Sequence, residues 1–474
     1  MPKAKSKATV MAADGSGGLA KVQDRRFEQG DWPIRFEVPN EQADTWLRYF
    51  SAECESRGWN SSSFGQMEAR ENSGSVTVNI GGADKASLAV VWERKRERPM
   101  NVRARSAGVP EFPLAEAQEL FERVNDRCRS GATERIYRRG LLEYDGLPWC
   151  GELWLDDTLR LGPPSRQDET ALLGPRVIVI DALVDCVGRS DSIWVFDKNL
   201  RELSVFLSVA MGTTVRIPEQ GRTWTWTSST DGTVECAVRN VGYWEQHNPT
   251  DMPARNAVRA IPLRPVSRPD FSQRGIDITT TEMSLPADVT DLWTAYRALT
   301  EERRQRFLQA GSKWQEALAH SRDRDTLSFA LMVVACESLK PEGSPFQGHN
   351  IYHIVEALLG KSIADRLKAD WFRPQDVRNV HLHRGEFLNS EFDQVDIMSS
   401  YHDPTFDQAR RALAPIIQQT IIEWLRRLGK FTMPPIERKK TLRRWIKDKA
   451  LIILPVLTAS GVVVGWFLRM FSYH

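Results

Sequence analysis

The stretch DVRNVHLHRGEF, residues 376–387, brings Arg378, Asn379, His381 and His383 together in a chain that has only eight histidines. Histidine titrates near neutrality, so it can take up or release a proton at physiological pH. Arginine carries a permanent planar cation suited to phosphoryl oxygens. On an α-helix Asn379 and His383 are four residues apart and share a face. Arg378 lies about 140° around the axis from His383, and its length lets it swing toward the same cleft. A base near neutral pKa and a cation for the non-bridging oxygens are what cleavage of a phosphodiester by its own 2′-hydroxyl needs. The plain alternative is a surface salt bridge for Arg378 and an exposed helix position for His383. His381 points to another face and is read as structural or solvent-facing.

Two further groups bear on this stretch. DTLSFALMVVACESLKPEG, from residue 325, is apolar nearly all round and reads as a central buried helix, yet Glu337 sits near its end. A carboxylate there must be paired or must face a cleft, and it could hold one of the cationic groups in place. His349 and His353 have the i, i+4 spacing of zinc-binding pairs, and His381 or His383 could extend the set. No cysteine or carboxylate completes it at a suitable spacing, so neither metal nor cofactor is expected.

Positioning these residues requires folded domains, and 474 residues with 41% apolar content leave room for about three. The net charge of +2 neither demands nor excludes a nucleic-acid partner. The six cysteines lie far apart without a CxxC, and the first residues lack an apolar run long enough for an export signal. Reduced thiols and no disulfides are expected.

Residues 1–30, rich in Gly, Ala, Ser and Lys, read as a tail without a packed core. Residues 31–140 read as an α+β domain: helices at EQADTWLRYFSAECESRG and LAEAQELFERVNDRCRSG, and strands at SGSVTVNIGG and SLAVVWERK. Residues 141–285 read as a β-rich domain, a sandwich or barrel, with strands at ELWLDDTLRLG, RVIVIDALVD, SIWVFD, TTVRI, TWTWTS and VECAVRNVGYW. One helix, LRELSVFLSVAMG, interrupts them. Trp224 and Trp226 share a strand face, and filling the core accounts for them better than stacking on a ligand. Residues 286–430 are almost purely helical.

The C-terminus has a different texture. A basic linker, 431–449, precedes ALIILPVLTASGVVVGWFL, a charge-free run over 450–468. Its length matches the hydrocarbon thickness of a bilayer at about 1.5 Å per residue. The cations on the N-terminal side predict a single-pass helix with the bulk of the chain on the cytoplasmic side of the membrane. Gly461 and Gly465 have the GxxxG spacing at which two membrane helices approach closely. The expected fold class is therefore α+β multidomain, with α+β and β-rich domains, an all-α C-terminal bundle and one transmembrane helix.

The helical order of 286–430, with Arg378-Asn379-x-x-x-His383 late in the bundle, RFLQAGSKWQEAL and ALMVVACESL before it and HRGEF after it, resembles the HEPN family in its Apea-like branch. The upstream region is loosely similar to the domains that precede HEPN in that branch. Arg384 stands before Gly385, where many relatives have glycine directly after the histidine. The resemblance implies a metal-independent endoribonuclease whose two copies form one composite cleft. His383 would be the base, Arg378 the phosphate cation, and Asn379 would orient the histidine or the phosphate. It further implies an RNA substrate, a homodimer, a bacterial inner membrane as the one crossed, and a bacterial defence or toxin role in which the N-terminal half senses a phage or cellular trigger. The alternative is a non-catalytic interaction or nucleotide-binding protein that uses the bundle as a dimerisation scaffold.

Overall fold

The computed structural model describes residues 32–68, 71–79, 86–95, 98–107, 109–164, 166–167, 176–218, 224–228, 234–238, 243–246, 251–266, 282–321, 324–341, 349–369, 374–375, 378–379 and 404–434. The chain folds as two compact units: Met1–Glu143 with Trp149–Leu203 and Ile217–Ala260, and Tyr144–Pro148 with Ser204–Arg216 and Ile261–His474.

The first unit opens with strand β1 (Ile34–Val38) and helix α1 (Ala43–Ser56), followed by β2 (Asn60–Glu68), β3 (Glu71–Asn79), β4 (Ser87–Lys95), β5 (Met100–Ser106) and α2 (Leu114–Ser130). The strands form an antiparallel sheet in the order β1-β5-β4-β3-β2. Alternation decides which side of β5 is inward: Met100, Val102 and Ala104 are buried and Asn101 is exposed. Helix α2 buries Ala117, Leu120, Phe121 and Val124, one stripe at helical spacing. It stops at Gly131, whose φ of 62° is the left-handed cap that costs glycine little. Trp46 of α1 stacks on Phe50 and donates to Asn125 Oδ1 at 2.9 Å, so this buried indole keeps its N–H satisfied.

The unit continues with β6 (Glu134–Tyr144), β7 (Leu153–Asp156), β8 (Leu159–Gly162), β9 (Arg166–Gln167) and β10 (Arg176–Cys186). β6, β10, β8 and β7 lie side by side in that order. β10 is buried along nearly its whole length, and Asp181 at its middle is fully buried. Such a carboxylate survives only if it is paired. Tyr137 Oη donates to it at 2.5 Å, while Arg139 Nε and Arg160 Nη1 lie at 2.7 Å. Arg160, itself buried, also reaches Glu152 at 2.9 Å. Strands β12 (Trp224–Ser228), β13 (Val234–Val238) and β14 (Tyr243–Gln246) pair with β9 in the order β12-β13-β14-β9. The side chains of Trp224 and Trp226 lie outside the described residues.

SIWVFD, expected as a strand, is instead the first half of a helix, α3 (Arg189–Met211). Asp191 accepts from Val187 N at 3.0 Å and pairs with Arg48 at 2.6 Å, and Ser192 N bonds back to Gly188 O. Those contacts start a helix through residues whose β-branched and aromatic types favour a strand. From Ser204 onward α3 belongs to the second unit.

The second unit carries the short β11 (Val215–Arg216), a two-stranded parallel pair of β15 (Leu263–Arg264) with β16 (Leu285–Pro286), and a helical body. Its helices are α4 (Val289–Arg297), α5 (Glu301–Ala319), α6 (Asp325–Glu337), α7 (Ile351–Leu359), α8 (Lys361–Ala369) and α9 (Pro404–Arg426). The last turns of α3 are built into this body. Phe206 meets Trp293 edge-on at 5.1 Å, Trp314 Nε1 donates to Ser208 O at 3.2 Å, and Gln418 donates to Val209 O at 2.7 Å. Gly311 makes the approach feasible: a Cβ there would stand 2.4 Å from Val205 Cγ1.

The expected fold class and localisation are corrected here. The chain is mixed α/β, and among the described residues no helix is long and apolar enough to cross a membrane. α6 is apolar along nearly its whole length but has 13 residues, about 20 Å of helix against about 30 Å of hydrocarbon. α3 and α9 have 23 residues each but carry charges, such as Asp197, Lys198 and Arg201, or Glu423 and Arg426. The run 450–468, with Gly461 and Gly465, lies outside the described residues. A single-pass placement in a bacterial inner membrane is not supported.

Candidate functional site

Glu337 is the last residue of α6, a helix that buries Phe329, Ala330, Met332, Val333, Ala335 and Cys336. A carboxylate at a helix C-terminus faces the negative end of the macrodipole and is unfavourable there unless a cation answers it. Two do. Arg378 Nη2 lies 3.2 Å from Glu337 Oε2, and Lys340 Nζ lies 4.0 Å from Oε1. The Glu337 side chain is 15% exposed and that of Arg378 24%, so the pair sits at the edge of the core, partly screened from water.

Arg378 is held from a second direction. Its Nη1 donates to Asn379 Oδ1 at 2.9 Å, and Gln375 Nε2 donates to the same oxygen at 3.4 Å. Gln375 stands four residues before Asn379. Among the described residues Arg378 Nε is buried without a hydrogen-bond partner, as is Gln375 Oε1. Burial pushes the neighbouring Cys336 thiol well up from its ordinary value, which leaves it protonated and poorly nucleophilic.

Comparison with protein-family models, curated proteins and solved structures returns no match.

Of the residues singled out in the sequence, the structure brings Glu337, Arg378 and Asn379 together. His381 and His383 lie outside the described residues. His349 and His353 are engaged elsewhere: Asn350 caps α7 by accepting from Tyr352 N, and His353 Nδ1 stands 3.2 Å from Asn350 N to close a capping box. His349 Nε2 lies 3.1 Å from Pro434 O, and the two rings meet edge-on at 5.4 Å. Burial, His349 and Lys368 hold His353 below its ordinary pKa of 6.5, so its ring is neutral at physiological pH. Among the described residues no three His, Cys, Asp or Glu side chains cluster at metal-ligand distances.

Sequence reasoning missed Gln375 and Lys340. Both had a signal, since they stand four before Asn379 and three after Glu337. Their relevance depended on the Glu337–Arg378 contact, which no local pattern contains.

Proposed function

We propose that this chain is a HEPN-type endoribonuclease acting without a metal. The observation that supports the reading is the Glu337–Arg378–Asn379 arrangement: a carboxylate set against its own helix dipole, answered by an arginine that the adjacent asparagine also holds. In the proposed reaction His383 takes the proton from the 2′-hydroxyl, whose oxygen attacks the adjacent phosphorus. The bond from phosphorus to the 5′-oxygen breaks, leaving a 2′,3′-cyclic phosphate, and water protonates the departing oxygen. Arg378 neutralises charge on the non-bridging oxygens as they become more negative. Asn379 orients the guanidinium, and Glu337 holds it in register.

Two copies of the chain are proposed to form the cleft, each contributing an Arg378 and a His383. The first compact unit serves as the sensor or regulator of a defence or toxin effector. A non-catalytic scaffold role predicts no dependence of any RNA on this site. The deciding experiment maps RNA ends in cells expressing the wild type, Arg378→Ala or His383→Ala. Cyclic-phosphate ends that appear only with the wild type support the reading, as does cleavage in EDTA by the purified protein. Identical RNA ends in all three overturn it, and loss of cleavage with chelator overturns the metal-free mechanism. His381→Ala serves as the neutral control.

A further inference from the structure

A polar cavity with a volume of about 540 Å³ lies in the second unit. That falls within the range of small-molecule sites. Its wall includes Glu302, Arg303, Arg306, Lys430, Phe431 and Thr432. Local structure explains how these meet. Arg303 and Arg306 are three apart on α5 and share a face. Lys430 and Phe431 reach the cavity because α9 ends in a left-handed turn: Leu428 and Gly429 have φ of 49° and 69°, and Gly429 N bonds back to Trp424 O at 2.9 Å. Only glycine fits at position 429, since a Cβ would stand 2.6 Å from the Trp424 indole. Trp424 in turn donates to Leu339 O at 3.2 Å, which seats the end of α9 against the segment that supplies Pro341 to the same wall.

The charges are unequal. Arg306 pairs with Glu302 at 2.5 Å and donates to Lys340 O at 3.0 Å. Among the described residues Arg303 and Lys430 make no ion pair. Arg303, Lys430, a hydroxyl from Thr432 and a half-buried phenyl ring thus border one cavity. Cations suit phosphate oxygens, and a flat apolar ring suits a base face. We propose that this cavity binds a nucleotide, its phosphate on Arg303 and Lys430 and its base against Phe431. The same chemistry is presented by a free nucleotide and by one residue of a single-stranded RNA. The site does not depend on RNA cleavage by this chain.

The test measures binding by full-length protein carrying Arg378→Ala, so that cleavage does not consume the ligand. Fluorescence-labelled ADP and a labelled single-stranded RNA of about ten nucleotides are each titrated against that protein and against the same protein with Arg303→Glu, Lys430→Glu or Phe431→Ala added. The charge reversals should weaken binding about tenfold, with a shallower salt dependence. Phe431→Ala should weaken it about fivefold, and Phe431→Trp should restore it. An effect on the RNA alone identifies a strand as the ligand, and an effect on ADP alone identifies a free nucleotide. If neither ligand binds, or if both bind all variants equally while unfolding temperatures are unchanged, the proposal is overturned. Failure of the ribonuclease reading would leave this readout intact.

Discussion

Arg378 Nη2 stands 3.2 Å from Glu337 Oε2 across the C-terminal end of an apolar helix. Neither residue suits its position alone: Glu337 opposes the helix dipole, and Arg378 is three-quarters withdrawn from water. Together they place a cation at a fixed point.

That relationship predicts different outcomes for the two partners. On the proposed ribonuclease reading, Arg378→Ala should lower RNA cleavage by about a hundredfold or more, the loss typical when a charge-stabilising donor is removed. Glu337→Gln keeps the shape but loosens the grip, and cleavage should fall about tenfold with KM little changed, because the cation is displaced and not lost. Single-turnover rates on a short RNA measure both. Equal defects in the two variants would mean that Glu337 acts directly and not through Arg378.

Gly311 packs against Val205 with no room for a side chain between them. Alanine is the better helix former by about 1 kcal/mol. The added methyl nevertheless has to displace a branched side chain from 2.4 Å, and overpacking of this kind costs about 1–3 kcal/mol. Gly311→Ala should therefore lower the melting temperature. Val205→Ala should make the second change less harmful, with a coupling of about 1 kcal/mol in a thermal double-mutant cycle.

Asp181 is buried between Arg139 and Arg160, with Tyr137 donating to it. Asp181→Asn is nearly isosteric but leaves the buried Arg160 with Glu152 alone. Breaking a buried pair in this way costs about 3–5 kcal/mol. Chemical denaturation of the variant should show a loss of that order, and a loss below about 1 kcal/mol would place these charges with ordinary surface pairs.

His353 supplies a pH dependence. Its folded-state pKa is lowered from 6.5 by burial, His349 and Lys368. Between that lowered value and 6.5 the unfolded chain binds the proton and the folded chain does not, so stability rises with pH. The stabilisation is complete above the unfolded value and is lost as pH falls from 6.5 toward the folded one. Thermal melts should show lower stability at pH 5.5 than at pH 7.5, with the difference reduced in His353→Gln. An unchanged difference would assign the effect to other groups.

Much of the secondary structure was legible because its causes are local. Alternation in MNVRARS, the stripe Ala117, Leu120, Phe121 and Val124, and the closing Gly131 each state their element within a few residues. The residue types at Arg378, Asn379 and Glu337 were equally legible, since a carboxylate in an apolar helix asks for a partner wherever it lies. Which partner it takes was not. The Glu337–Arg378 pair, the capping box that occupies His353, the helix through Ile193 and Trp194, the passage of α3 into the helical unit, and the cavity between Arg303 and Lys430 all depend on residues far apart in the chain. Periodicity and capping record the interactions of a segment with itself. Tertiary structure decides the rest, because burial, charge pairing and close approach are properties of neighbours that only folding brings together.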